Sequence, residues 1–192
     1  MSKPKVHRGR DSLRLPSWDY ASPAWYFVTM CTHNRDPVFG RVHDDSVIRS
    51  PLGDIARHHW MQIPRPTMGI LIDEFVIMPN HIHAIIIIDP PRITKSNVGA
   101  LHATPLRTNR DALGISQRMS AISPKPGSLG AVIRSYKSSV TRWARNNRFP
   151  HFAWQRGYHD HIIRDDRDLS RVRRYIRQNP MKWSLDQYHP RD

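Results

Sequence analysis

The chain has 192 residues, a length that predicts one domain with a real hydrophobic core. Its net charge of +14, carried mostly by arginine, predicts a polyanionic partner, with nucleic acid as the first candidate. Its single cysteine, Cys31, excludes a disulfide framework and fits a reducing compartment. No apolar run is long enough for a membrane span or a signal-peptide core, so we expect a cytoplasmic, nucleoid-associated protein without a membrane partner.

The first part of the chain predicts a basic arm, a strand and a helix. Residues 1–22 are rich in Lys and Arg, and this arm either contacts phosphate or is simply solvated. Residues 24–32 are aromatic and β-branched and predict the first strand. A helix ending near Met61 follows, capped by Asp44 or Asp45, or starting later, near Pro51.

A β-hairpin with two histidines comes next. Residues 69–77 predict one strand and Pro79-Asn80 the turn. Residues 81–88 predict a buried strand, which is apolar on both faces from Ala84 to Ile88. Because side chains alternate along a strand, His81 and His83 should project from the same face. Two imidazoles can hold a divalent metal but do not complete a site, and a hydrogen-bonded pair at a strand end is the alternative.

Residues 89–127 differ in composition from the rest of the chain. They are rich in Pro, Ser, Thr and Asn, without sustained periodicity, and carry more basic than acidic side chains. This composition predicts a flexible insert loop. The loop either touches a nucleic-acid backbone or is a plain linker.

The C-terminal half predicts a helix, a strand and a final helix. An apolar stripe with helical spacing runs from Leu129 to Ala144 and contains Tyr136, so that tyrosine is either core or functional. Residues 152–164 predict the last strand, and residues 169–178 a basic helix capped by Asp165 or Asp166. More than half of the net charge falls in residues 129–182, which therefore should form the phosphate-binding face.

The order strand, helix, strand, strand, helix, strand, helix predicts an α+β fold. It is the ferredoxin-like βαββαβ arrangement, an antiparallel sheet with helices packed on one face, plus a C-terminal basic helix. The expected organisation is a basic arm over residues 1–22, a domain over residues 23–183 that includes the insert loop, and a tail over residues 184–192.

Five short motifs occur in order along this chain. They are Tyr26-Phe27-Val28-Thr29, Met78-Pro79-Asn80-His81-Ile82-His83, Ser135-Tyr136-Lys137-Ser138, Trp154-Gln155-Arg156-Gly157-Tyr158-His159-Asp160-His161-Ile162-Ile163-Arg164 and Tyr175-Ile176-Arg177-Gln178-Asn179-Pro180-Met181-Lys182-Trp183. Together they resemble the REP-associated tyrosine transposases, which belong to the single-tyrosine HUH transposases of bacterial insertion sequences. The resemblance spans nearly the whole chain outside the basic arm and the insert loop.

The resemblance implies a metal-dependent transposase that cleaves and rejoins DNA. In this family the histidine pair, here His81 and His83, holds Mg²⁺ or Mn²⁺. The helix tyrosine, carried over to Tyr136, attacks a phosphate in hairpin-forming, REP-like single-stranded DNA. The products are a 5′-phosphotyrosine and a free 3′-OH.

One departure from the family leaves alternatives open. The family commonly has a further polar ligand one turn after the tyrosine, where this chain has Val140. His159 or His161 could supply a ligand, or water could fill the position. The alternative for these two histidines is a structural or DNA-contacting role. A non-catalytic nucleic-acid-binding protein on the same scaffold is the alternative function, and a monomer and a homodimer are both open. The predicted DNA-binding side chains are Arg134, Lys137, Arg142, Arg145, Arg156, Arg171, Arg173 and Arg174.

Overall fold

The computed structural model describes residue 15 and residues 17–89 and 124–189. Most of the predicted basic arm and of the predicted insert loop lies outside the described residues. The elements are β1 (Ala24–Cys31), β2 (Gly40–His43), β3 (Ser46–Arg49), α1 (Pro51–Met61), β4 (Ile70–Ile77), β5 (His81–Ile88), α2 (Leu129–Asn146), β6 (His159–Ile163) and α3 (Asp166–Gln178). In the described part of the chain, no helix is long and apolar enough to cross a membrane.

Four strands form the central sheet in the order β4-β5-β1-β6. All three strand pairs are antiparallel, and β1 and β5 are paired along their full length, from Ala24 opposite Ile88 to Cys31 opposite His81. With α1 and α2 in their places along the chain, this is the ferredoxin-like βαββαβ arrangement, so the predicted fold class is confirmed. The β2–β3 hairpin is an addition to it.

The sheet is covered on both faces. On one face Val28 of β1 and Ile82 and Ile86 of β5 are fully buried and pack in one core with side chains of α1 and α2. On the other face Ile85 packs with Ile163 and with apolar side chains of α3. Each buried isoleucine contributes about 1.5–3 kcal/mol through the hydrophobic effect. The larger core therefore lies under α1 and α2, and the smaller one under α3.

Helices α1 and α2 both begin at a serine cap. The side chain of Ser128 accepts a hydrogen bond from the amide of Ala131 at the start of α2, and Ser50 does the same for Gly53 in α1. The helix start near Pro51 is confirmed. The alternative cap at Asp44 or Asp45 is wrong, because these two residues form the β2–β3 turn with positive φ angles of 45° and 57°.

The last strand is shorter than the sequence predicted. It covers His159–Ile163, while Trp154 makes only an isolated bridge to Thr32. Gly157 lies between them with a φ of 77°, which interrupts the extended backbone. The final helix, α3, is confirmed: Asp165 caps it by accepting a hydrogen bond from the amide of Asp168, and it ends at Gln178.

Candidate active site at the histidine strand

The two histidines at the start of β5 lie side by side on the face of the sheet that α3 covers. Both are buried, and their ring centroids are 4.4 Å apart. In the register of the sheet His81 is opposite Cys31 and His83 is opposite Thr29 on β1. The prediction that the two imidazoles share one face follows from strand alternation and agrees with this arrangement.

Hydrogen bonds donated by the Nδ1 atoms fix the orientation of each ring. His81 Nδ1 lies 2.9 Å from Asn80 Oδ1, and His83 Nδ1 lies 2.8 Å from Thr29 Oγ1. An amide oxygen only accepts hydrogen bonds, so His81 must donate from Nδ1, and we assign the same tautomer to His83. Both Nε2 lone pairs are thereby directed away from these partners, the arrangement found around metal-binding histidines.

Both histidines are neutral at physiological pH. Burial lowers the pKa of His81 to about 3, an effect that the Asn179 side chain opposes. Burial, assisted by His81, also lowers the pKa of His83 well below its ordinary value. Metal ligands must be deprotonated, so neutral imidazoles are in the state that binding requires.

A carboxylate and an amide complete the group. Among the described residues His81, His83 and Asp186 could hold a metal ion, since their potential ligand atoms lie within 4.8 Å of one another. Asp186 Oδ2 is 4.0 Å from His81 Nε2 and accepts a hydrogen bond of 3.0 Å from Asn179 Nδ2. The amide of Tyr188 donates to Asp186 Oδ1 over 2.7 Å.

Two buried atoms in this group have no hydrogen-bond partner among the described residues. They are His81 Nε2 and Asn179 Oδ1. Leaving a buried acceptor unsatisfied costs roughly 1–3 kcal/mol, and a bound cation would satisfy both. The residues therefore fit a metal, with imidazole nitrogen and carboxylate or amide oxygen as donors.

The tyrosine beside the histidines is Tyr175 of α3. Its Oη lies 3.1 Å from His83 Nε2, and its ring centroid is 5.0 Å from that of His83. Burial, Asp186 and Tyr188 raise the pKa of Tyr175 to about 12, so the phenol is protonated at neutral pH. The residue is nevertheless 41% exposed, which leaves its ring accessible from outside.

Tyr136, the nucleophile that the sequence predicted, lies on the other face of the sheet. It is 3% exposed and belongs to the core under α1 and α2. Its hydroxyl donates a 3.0 Å hydrogen bond to the carbonyl of Ala56, and its ring is 5.0 Å from that of Trp60. Burial raises its pKa well above the ordinary value. The structure does not bring Tyr136 to the histidines.

A signal for Tyr175 was present in the sequence. The resemblance calls for a polar residue one helical turn after the tyrosine, and Val140 does not provide it after Tyr136. Tyr175 and Asn179 have that spacing, and Asn179 caps the end of α3. Asp186 and Tyr188 carry no comparable pattern, because they reach the site through a short 3₁₀ turn over Pro180–Leu185.

His159 and His161 do not join this group. His161 Nε2 is bound to Asp168 Oδ2 over 2.7 Å, and both histidines lie on β6, separated from β5 by β1. Neither belongs to the set of potential metal ligands in the part of the chain that the structure describes.

Aromatic and basic side chains of two other segments cover the histidines. The ring of Tyr188 is 4.6 Å from that of His81, and its carbonyl accepts a hydrogen bond of 2.7 Å from Asn80 Nδ2. Arg35 donates a 2.8 Å hydrogen bond to the carbonyl of Gln187, and its guanidinium lies over the Tyr188 ring. Residues 186–188 thus form one wall of the site, although the predicted domain boundary placed them in a tail.

The basic residues predicted to bind DNA fall on different elements. Arg134, Lys137, Arg142 and Arg145 are on α2, Arg156 is in the loop before β6, and Arg171, Arg173 and Arg174 are on α3. Some of them have internal partners. Lys137 donates to the carbonyls of Gln155 and Gly157, and Arg173 forms a 2.7 Å ion pair with Asp73.

Comparison with known proteins gives a family and a fold. No family model matches the chain. An uncharacterized protein from Haemophilus influenzae is 36% identical over 185 residues, which cover 96% of this chain and 94% of that protein. The chain belongs to the family of this Haemophilus protein.

Among solved structures, a REP-associated tyrosine transposase bound to a REP hairpin matches with a TM-score of 0.55 and 16% identity, over 91% of this chain and 76% of that chain. This likeness establishes a shared fold.

Proposed function

We propose that the protein cleaves and rejoins single-stranded DNA, with Tyr175 as the nucleophile. The observation that carries this proposal is the position of the Tyr175 hydroxyl, 3.1 Å from His83, which belongs with His81 and Asp186 to the group of potential metal ligands. A tyrosine at a potential metal site is the constellation needed for attack on a phosphodiester. Tyr175 replaces Tyr136 in this role because Tyr136 is enclosed in the opposite core.

The reaction would exchange one phosphate ester bond for another and so conserve the energy of the phosphodiester. Tyr175 Oη forms a bond to phosphorus while the bond from phosphorus to the 3′ oxygen breaks. The phenolic proton is transferred overall to the departing 3′ oxygen, which leaves a 5′-phosphotyrosine and a free 3′-OH. Attack by another 3′-OH reverses these changes and joins the strands, without an external energy source.

The residues of the site would have separate roles in this reaction. His81, His83, Asn179 and Asp186 would hold Mg²⁺ or Mn²⁺, and Thr29 and Asn80 fix the imidazole orientations. The ion, when bound, supplies positive charge that neutralises the phosphoryl oxygens. The bond from the Tyr175 hydroxyl uses the same His83 lone pair that the ion would take, so this hydroxyl and the ion compete for one nitrogen.

Single-stranded DNA with hairpin structure is the proposed substrate. The net charge of +14 favours a polyanion, and the solved transposase of the same fold is bound to a REP hairpin. The alternative of a non-catalytic DNA-binding protein rested on Val140. That argument loses its force when Tyr175 is the nucleophile, because Asn179 then provides the polar residue one turn later.

Two matched variants test the assignment. Tyr175→Phe and Tyr136→Phe each remove one hydroxyl and keep the ring. With Mn²⁺ and a hairpin-bearing single strand, the wild type and Tyr136→Phe should form a DNA-linked species on a denaturing gel, whereas Tyr175→Phe should form none. Mass spectrometry of the adduct should place the modification on Tyr175. Tyr136→Phe should cost only about 1 kcal/mol of stability, because it loses the hydrogen bond to Ala56.

The opposite pattern would restore the original assignment. An adduct that survives in Tyr175→Phe and disappears in a folded Tyr136→Phe would identify Tyr136 as the nucleophile. A wild-type protein that binds the hairpin without forming any adduct in the presence of metal would favour the binding-only alternative.

A further inference from the structure

A basic groove lies beside the candidate active site, on the outer surface of α3. It has a volume of about 670 Å³ and is lined by four arginines, Arg164, Arg167, Arg171 and Arg174, together with Asp165, Asp168 and Ser170. All four arginines are exposed. We call this surface the arginine groove. None of its residues belongs to the metal-binding group described above.

Apart from Arg171, the arginines on α3 and just before it fall into two sets. Arg173 and Arg177 point to β4, where they form ion pairs with Asp73 and Glu74 over 2.7 and 3.2 Å. Among the described residues the side chains of Arg164, Arg167 and Arg174 have neither an ion pair nor a hydrogen bond. The first set attaches the helix to the sheet, while the second set leaves its charges for a ligand.

One arginine of the groove is held in place by a network. Asp168 Oδ1 accepts a hydrogen bond of 2.6 Å from Arg171, and its other oxygen is 2.7 Å from His161. The amide of Asp168 is in turn bound to the capping carboxylate of Asp165. A guanidinium fixed in this way retains free donors and loses less conformational entropy when it binds an anion.

The spacing of the arginines along the helix fits the backbone phosphates of a single nucleic-acid strand. Arg167, Arg171 and Arg174 fall at i, i+4 and i+7, which forms one stripe along α3 about 10 Å long. Tyr175 follows immediately after the stripe and lies one turn beyond Arg171. A strand whose phosphate reaches Tyr175 would therefore continue over these guanidinium groups.

We propose that the arginine groove binds the backbone phosphates of single-stranded DNA on one side of the bond that Tyr175 attacks. This proposal rests on the proposed function for the position of the attacked bond. Guanidinium groups bind phosphate oxygens through paired hydrogen bonds, independently of the base sequence. The groove therefore positions the strand and does not read its sequence. Arg164 and Arg167 join the DNA-binding set, while Arg173 is a structural ion-pair partner.

The test measures binding without cleavage. All variants are made in a Tyr175→Phe background and studied without added metal, with fluorescein-labelled oligothymidine as the probe. Arg167→Ala/Arg174→Ala removes two charges from the groove. Arg173→Ala/Arg177→Ala is the matched control, since it removes two charges from the same helix but from the side that faces β4. Fluorescence anisotropy over a range of salt concentrations gives the slope of log K against log salt.

The groove variant should reduce that slope by about 1.4, since each neutralised phosphate of a single strand contributes about 0.7. The control should leave the slope close to that of the parent. Equal slope losses in both variants, or none in the groove variant, would overturn the proposal. So would a loss seen on duplex DNA alone. The side chains of Arg164, Arg167 and Arg174 are exposed and have no ion-pair or hydrogen-bond partner among the described residues, so their removal should not disturb the fold. Circular dichroism with a second pair, Arg164→Ala/Arg174→Ala, guards against misfolding.

The outcome is independent of the cleavage chemistry. A slope that falls as expected, in a protein whose wild type forms no covalent adduct, would retain the groove and reject the proposed reaction. An adduct in the wild type, combined with an unchanged slope in the groove variant, would support the proposed reaction and reject the arginine groove as a phosphate-binding surface.

Discussion

Asp186 is the residue that gives the candidate metal site its charge. His81 and His83 are neutral at physiological pH, so they bring lone pairs but no negative charge. The Asp186 side chain is 4% exposed and is held by Asn179 and by the amide of Tyr188. Without it, a divalent cation would be buried among neutral donors, which is unfavourable in a low-dielectric environment.

Replacing Asp186 should weaken metal binding without unfolding the protein. Asp186→Asn keeps the shape of the side chain and removes the charge, and we expect the affinity for Mn²⁺ to fall by at least about tenfold. Isothermal titration calorimetry measures this directly. Asp168→Asn is the control, since Asp168 is a carboxylate bound to His161 and Arg171 away from the site, and its variant should bind Mn²⁺ normally. Equal affinities for the Asp186→Asn variant and the wild type would remove Asp186 from the ligand set.

At the scale of elements, α1 is fixed against the loop before β2 by a close approach at Gly53. A Cβ atom placed on Gly53 would lie 2.0 Å from the carbonyl oxygen of Phe39. The same carbonyl accepts a hydrogen bond from the amide of Ser50, the residue that caps α1. Because the obstacle is backbone, it cannot be relieved by a side-chain rotation.

Gly53→Ala should therefore destabilise the protein, although alanine has the higher helix propensity. The propensity gain is about 1 kcal/mol, while the clash forces the backbone of residue 39 to move. We expect a net loss of about 1–3 kcal/mol in the free energy of unfolding, measured by chemical denaturation. Arg57→Ala, at an exposed position of the same helix, should change it by less than about 0.5 kcal/mol. Stabilisation by Gly53→Ala would show that this contact is loose.

The elements with regular patterns were predictable from the sequence, and the site was predictable in part. The apolar stripe of α2 and the alternation in β5 located both elements and placed the two histidines on one face. Neither pattern indicates which face of the sheet a helix covers. The resemblance carried the role of nucleophile to Tyr136, whereas α2 packs on the opposite face and Tyr175 of α3 lies beside the histidines.

The β2–β3 hairpin escaped prediction for a local reason. Asp44 and Asp45 are good helix caps, but they also tolerate the positive φ angles of a tight hairpin turn, and the strands they join have only four residues each. Asp186 could not be predicted because its approach to His81 depends on the tertiary path of the chain after α3.

At the scale of the whole molecule, the sheet separates the main core from the candidate site. The face under α1 and α2 holds the large core, which includes Tyr136 and Trp60. The face under α3 has a small apolar cluster, and the ion pairs of Arg173 and Arg177 with β4 supplement it. Substitutions in the site should therefore disturb folding less than substitutions in the main core.

The site is completed by a segment with few attachments. His81 and His83 belong to a central strand, whereas Asp186 and Tyr188 follow α3 and are held mainly by the hydrogen bonds from Asn179, Asn80 and Arg35. Such a segment opens locally at a much smaller free-energy cost than global unfolding. The apparent dissociation constant of a metal then equals the intrinsic constant divided by the fraction of molecules in which the segment is closed.

Amide exchange should report this linkage. The amides of Tyr188 and His189 are bound to Asp186, so added Mn²⁺ should slow their deuterium uptake, while the amides of β5 are already protected by the sheet. In the His81→Ala/His83→Ala variant the ion should have no such effect. Unchanged exchange at both amides in the metal-bound wild type would mean that the segment is closed throughout. The affinity would then be set by the ligands alone, and a variant that anchors residues 186–189 more firmly would bind metal no more tightly than the natural chain.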